Sequence, residues 1–267
     1  MSAPALPKER VINGIRQLIG LCLGLFVLGS APAQGRPPIV AAASDLKFAV
    51  TEIAARFEAD TGRTVSLNFG SSGNFARQIR QGAPFEVFMS ADEDFVFRLA
   101  DAGLTRGRGD LYAIGRIVLF VPKGSKIALD PELKGLQAAW GEVRKFAIAN
   151  PEHAPYGRAA EEALRSLQLW DLVRPRLVLG ENIAQTAQFV ATRSAEAGIV
   201  AYSLALAPEL VRAGDFVLLP ESLHNPLRQR MVLTTRAGET AAMFYEYLMQ
   251  PPARAILEKH GFVLPGQ

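Results

Sequence analysis

Four short stretches place hydroxyl and amide donors where a helix is about to start. They are Ala43-Ser44-Asp45, Gly70-Ser71-Ser72-Gly73, Pro155-Tyr156-Gly157 and Asn182-Ile183, and each lies beyond an expected strand, the third after the loop Asn150 to Ala154. The first N–H groups of a helix have no intrahelical acceptor, and the helix start carries a partial positive charge of about half a unit. Serine and tyrosine hydroxyls add donors that can rotate. Four such turns facing one region would make a donor-rich cleft suited to a small anion. None of the four puts Lys or Arg at its first helical position. The anion would then be held by neutral dipoles, which requires that all its oxygens be hydrogen-bonded. The same residues have a simpler explanation: Ser44 and Asn182 are common helix caps, and Gly70 and Gly73 permit a tight turn.

Other chemistries fit less well. A serine nucleophile on a strand-to-helix elbow needs G-x-S-x-G. Here the string is G-S-S-G-N, so Gly73 follows Ser72 at once and breaks the spacing. Of the three histidines, His260 falls in the last helix, His224 in a Pro/Asn loop, and only His153 lies near the expected cleft, where it reads as a solvated loop residue. A secreted serine hydrolase is kept as the alternative of another class; otherwise no catalytic residue and no enzyme is expected. No pair of histidines is close, and Asp92-Glu93-Asp94 reads as a solvated turn or helix start, so no protein-ligated metal is expected. No basic run or aromatic-basic interleaving points to nucleic acid.

The elements that must position the four turns alternate between strand and helix. Strands are expected at Ile39 to Ala43, Val65 to Phe69 and Glu86 to Ser90, with helices at Asp45 to Glu58 and from Asn74 to Arg80. This order argues for a parallel sheet. A longer strand is expected over 112–121. The pattern then restarts, with strands near 145–149, 176–179 and 198–202 and helices near 157–169 and 183–192. Strands near 216–219 and 231–235 and two closing helices follow. Ligands of open parallel sheets bind beyond the carboxyl ends of the strands, where the four turns lie. The expected class is α/β with two lobes, each a mostly parallel sheet flanked by helices. Two crossing strands, near 116–121 and 230–235, would join them. Lobe 1 spans 34–118 and 220–267, and lobe 2 spans 119–219.

The first 33 residues differ from the rest. Lys8, Arg10 and Arg16 precede the apolar run LIGLCLGLFVLG, and Ala31-Pro32-Ala33 follows. That is the layout of a secretory signal peptide, and the run is short for a membrane span. The leader holds three of the 29 basic and one of the 26 acidic side chains, so its loss would leave a chain of net charge +1. Cys22, the only cysteine, would leave with it. An exported protein without thiols fits a bacterial periplasm.

Several stretches together resemble one family. AAASDLKFAV, FGSSGNFARQIRQGAPFEVFMSAD, NPEHAPYGRAAEEAL, GENIAQT, AGIVAYS and MFYEYLMQPPARAILEKHGF occur in this order. They resemble the molybdate-binding periplasmic proteins of ABC transporters. The resemblance implies a type II periplasmic binding fold and capture of molybdate or tungstate for an inner-membrane permease. It implies a monomer without a cofactor, and an anion held by Ser44, Ser72, Tyr156 and Ile183. Asp45 would contribute its backbone N–H. Many members of the family carry a binding tyrosine directly after the Gly-Ile-Val strand. Here Ala201 takes that place, and Tyr202, a further candidate for the ion, comes one residue later, which in a strand turns the side chain to the opposite face; Tyr156 is the alternative source of that hydroxyl. Molybdate accepts hydrogen bonds and donates none, so a cleft of donors suits it. A protonated phosphate would leave its own donor unpaired. Sulfate is also a pure acceptor and is the alternative ligand.

Overall fold

The computed structural model describes residues 1–2 and 36–266. The leader read over residues 1–33 lies, beyond Met1 and Ser2, outside the described residues.

Ten strands form among the described residues. They are β1 Ile39–Ala43, β2 Ser66–Gly70, β3 Val87–Ser90, β4 Asp110–Gly115, β5 Ile117–Pro122, β6 Phe146–Ala149, β7 Leu177–Gly180, β8 Ala197–Ala201, β9 Gly214–Leu218 and β10 Leu227–Leu233. They build two five-stranded sheets, ordered β2-β1-β3-β10-β4 and β7-β6-β8-β5-β9. In the first, β1 pairs in parallel with β2 and β3, and β10 runs antiparallel between β3 and β4. The second repeats the plan: β6 pairs in parallel with β7 and β8, and β5 runs antiparallel between β8 and β9. Four strands of each sheet thus share a direction and one opposes them.

The central strands read as unbroken apolar runs because both faces are covered. Every residue of β3, β5, β6 and β8 is buried. Helices supply the cover. In Lys47–Thr61, Ala49, Val50, Ile53 and Phe57 are buried at helical spacing. Phe57 meets Phe244 of the helix Glu239–Leu248 edge-on, with ring centroids 5.2 Å apart, so a closing helix packs back on the first sheet's side.

The expected strand over 112–121 is two strands in different sheets. Residues 110–115 belong to the first and 117–122 to the second, with Arg116 alone between them. The second passage between sheets is the segment 219–226, between β9 and β10. Each strand expected to cross therefore belongs to one sheet. The two passages are tied together: Arg116 pairs with Glu221 at 2.6 Å. Periodicity could not show the break, since both strands are apolar and continuous. The side chains packed beside the break select glycine at 115. A Cβ there would lie 2.3 Å from the Tyr156 hydroxyl and 2.8 Å from Gln229 Nε2. Those two side chains fill the space beside the passage.

Gly115→Ala is expected to destabilise the protein by about 1–3 kcal/mol, the usual cost of forcing a methyl into a filled site. Adding Tyr156→Phe, which removes the nearest clashing atom, should return part of that loss. Thermal melts of the two single variants and the double variant check this; strictly additive losses would contradict it.

Candidate functional site

The four turns do converge. Ala43, Ser44, Asp45, Gly70, Ser71, Ser72, Ala91, Ala154, Pro155, Tyr156 and Ile183 line one cavity. Its volume is about 10 Å³, the room that a single water-sized sphere needs. That space is too small for a sugar or an amino acid.

Each turn is set by its own strand and helix. β1 ends at Ala43 and the chain enters a 3-10 turn, Ser44–Leu46, that leads into Lys47–Thr61. β2 ends at Gly70. Ser71 then caps the helix Ser72–Arg80, its hydroxyl accepting from Asn74 N–H at 3.4 Å. In the second half, β6 leads to the helix Pro155–Ser166, with Pro at its start. β7 leads to Asn182, whose side chain caps Ile183–Ala191 by accepting from Gln185 N–H at 3.1 Å.

Two hydroxyls are held by the backbone and keep their protons available. Ser72 is fully buried, and its Oγ accepts from Ala91 N–H at 3.0 Å. Ser44 Oγ accepts from Ala184 N–H at 3.2 Å, a bond between the two halves. Because both oxygens accept, both O–H groups remain as donors. Ser71 is different, since its oxygen serves as the cap and meets His153 Nδ1 at 3.0 Å.

The glycines of the second turn are not there for an unusual backbone angle, since neither has positive φ. Gly73 N–H donates to His153 C=O at 2.9 Å across the cleft. A Cβ at Gly73 would lie 2.7 Å from that carbonyl oxygen. Close approach of two backbones selects glycine here. His153 is not the solvated loop residue that its surroundings in sequence imply. Its side chain is mostly buried at this seam, with Ser71 on one nitrogen and Glu181 Oε2 3.5 Å from the other. Serine, histidine and glutamate thus line up, but the serine oxygen caps a helix and the glutamate is largely exposed. Asn74 reaches over to Glu181, and Arg158 pairs with Asp92, both across the same seam.

Asp45 is the unexpected member. It is 1% exposed. Its Oδ2 accepts from Tyr156 OH at 2.9 Å and from Gln229 Nε2 at 2.6 Å. Gln229 Nε2 also reaches Tyr156 OH at 3.0 Å, and Gln229 Oε1 accepts from Tyr112 OH at 2.8 Å. Ser203 Oγ donates to Asp45 C=O at 2.9 Å. Burial pushes the Asp45 carboxyl up to about 6, against the pull of the Gln229 and Tyr156 hydrogen bonds and of the nearby Asp45 and Leu46 N–H groups. Neither of those N–H groups makes a well-formed bond, and Oδ1 is left with no partner. Burial, and then the Asp45 charge, push the Tyr156 and Tyr112 phenols well above their usual range, so both stay neutral.

The candidates therefore divide. Ser44, Ser72, Asp45, Tyr156 and Ile183 come together at the cavity. Tyr202 does not: β8 stops at Ala201, Tyr202 opens the helical turn Tyr202–Ala205, and its ring lies 5.8 Å from that of Phe216. Tyr112, Gln229 and Ser203 belong to the Asp45 network and carry no local sequence signal. Among the described residues no cluster of His, Cys, Asp and Glu is arranged to hold a metal ion.

The raised carboxyl has a consequence for stability. Between pH about 4 and 6 the folded protein keeps a proton on Asp45 that the unfolded chain has released. Stability from this group is therefore full below about pH 4 and is lost as pH rises through 6. The shift of about two units corresponds to roughly 3 kcal/mol. In ligand-free protein, Asp45→Asn should gain on the wild type by about that amount between pH 4 and 7. Parallel denaturation curves for the two proteins across this range would contradict the assignment.

Comparison with known proteins places this geometry. Residues 39–263 match the family model for bacterial extracellular solute-binding proteins. The chain is 36% identical over 242 residues to the molybdate-binding protein ModA of Rhodobacter capsulatus, covering 89% of this chain and 93% of that one. It is 34% identical to a putative ABC transporter substrate-binding lipoprotein, YvgL, of Bacillus subtilis, covering 84% and 85%. The periplasmic molybdate-binding protein of Azotobacter vinelandii has the same fold, with a TM-score of 0.79 at 31% identity over 86% of this chain and all of that one. The chain belongs to the family of bacterial extracellular solute-binding proteins.

Proposed function

We propose that this protein captures molybdate, and tungstate with it, outside the cytoplasm and delivers the ion to an ABC permease. The observation that carries the reading is the convergence of four helix starts from two sheets on one small cavity, with two buried serine hydroxyls free to donate. The similarity to molybdate-binding proteins across most of the chain supports the choice of ion. Ser44 and Ser72 would donate through their hydroxyls. Ile183, Tyr156 and Asp45 would donate through the backbone, since the Tyr156 phenol is already committed to Asp45. The ion's oxygens accept these bonds, and no side chain ligates its metal.

The mechanism is capture and release without covalent change. The lobe built on the first sheet and the lobe built on the second, divided at Arg116 and the segment 219–226 rather than at 118 and 219, would turn about those two passages and close over the ion. The leader over residues 1–33 would direct the chain to the periplasm, where it would act as a monomer. Its partner would be the membrane permease, to which the closed surface is presented. Sulfate, also a pure acceptor, is the competing ligand.

Thermal shifts with molybdate, tungstate, sulfate and phosphate test this. A ligand at 100 times its dissociation constant should add about 2.7 kcal/mol of stability. No shift with molybdate or tungstate would sink the reading. Ser72→Ala should weaken molybdate binding by roughly 1.5–3 kcal/mol, the range for a hydrogen bond to a charged group. Titration calorimetry measures it, and unchanged affinity would make Ser72 a turn residue only.

A further inference from the structure

Among the residues that line the cavity, Asp45 alone carries a carboxylate. A site for a doubly charged anion gains nothing from a fixed negative charge. The two oxygens of this group are unequal. Oδ2 accepts from both Tyr156 and Gln229, whereas Oδ1 is buried without a partner. An ionised Oδ1 is an acceptor and would match an oxyanion that still carries a proton, such as hydrogen phosphate. A protonated Oδ1 is a donor and would match an oxyanion that carries none. One proton thus decides which class of ion the unsatisfied oxygen can serve.

We propose that Asp45 is a specificity-determining residue that works as a neutral acid, taking up one proton on Oδ1 when a fully deprotonated oxyanion enters the site. The proton comes from the buffer, becomes bonded to Oδ1, and leaves the charge of the ion unchanged. Site charge is thereby reduced by one unit as the dianion arrives, and the orphaned oxygen gains a partner.

The surroundings of Asp45 favour this, because burial outweighs the hydrogen bonds from Gln229, Tyr156 and the local N–H groups that pull the other way. The helix Pro155–Ser166 presents the Tyr156 phenol, and β4 presents the Tyr112 phenol, both held neutral by burial. β10 presents the uncharged Gln229 amide, and the turn Tyr202–Ala205 presents the Ser203 hydroxyl to the Asp45 carbonyl. Its own turn offers only the N–H groups of Asp45 and Leu46. No Lys or Arg contributes to its titration, so no fixed cation holds the carboxylate ionised. His153, the nearby titratable group, faces Ser71 and Glu181 instead. Burial already brings the carboxyl to about 6 without a ligand, within reach of protonation at neutral pH. A dianion beside it can only raise it further.

The inference rests on the proposed site reading, and one experiment separates the two. Molybdate is titrated calorimetrically into the protein at several values between pH 7 and 8.5, each in buffers of different ionisation enthalpy. The expected result at pH 7 is uptake approaching one proton per ion. Affinity should fall by up to about tenfold per pH unit, the linkage limit for one proton. In Asp45→Asn, whose amide donates at any pH, the uptake should vanish and the profile flatten. Tight molybdate binding without proton uptake by the wild type would overturn this inference alone, whether or not the variant folds. Equal uptake in the variant would overturn it too, as would hydrogen phosphate binding as tightly as molybdate. Absence of molybdate binding at every pH would overturn the site reading and this inference together.

Discussion

Burying a carboxylate is the constraint around which the rest of this site is arranged. Asp45 sits two residues beyond the end of β1, and five segments meet around it. Tyr112 comes from β4, Gln229 from β10, Tyr156 from a helix on the other sheet and Ser203 from the turn after β8, while the chain's own 3-10 turn leaves Oδ1 without a well-formed bond. Such a network stabilises only while every member is present, because a buried polar group left unpaired costs more than the bond it lost. It therefore fixes the distance between the two sheets next to the passage at Gly115 and Arg116. Two negative unit charges 4 Å apart repel by about 4 kcal/mol at an effective dielectric of 20. A dianion close to an ionised Asp45 would meet a repulsion of that order or greater.

The seam above this network is made of different material. Backbone meets backbone at Gly73 and His153, and side-chain contacts such as Ser71–His153 and Ser44–Ala184 flank the cavity. These are modest interactions, several of them near solvent. A buried anchor near the passages and weak contacts at the rim are what a hinged clamp requires. In the proposed capture mechanism the anchor would set the axis, and the rim would part at little cost.

Much of this was legible in the sequence, and the limits have physical causes. The apolar runs and helical spacings located most strands and helices because both faces of the central strands are buried. The four turns were legible because a strand followed by a small or hydroxyl residue and a helix is a local pattern. The break at Arg116 was not, because an apolar run looks alike whether it stays in one sheet or passes to another. Tyr202 was misplaced by one residue in strand length: β8 ends at Ala201, so alternation no longer governs where the next side chain goes. Gln229 and Tyr112 stand 117 residues apart in the chain, and nothing local marks either as a partner of Asp45. Glycine 73 carried a signal, but a tight turn and a close approach write the same letter.

The single residue between β4 and β5 has a further meaning. Arg116 is flanked on both sides by strands locked into ladders, so the backbone rotations that could swing one sheet against the other are confined to a few bonds there and to the loop at 219–226. A linker this short transmits torque as well as position. Loosening either sheet tugs directly on the other, and the two halves are thereby bound to melt as one cooperative body rather than as beads on a string.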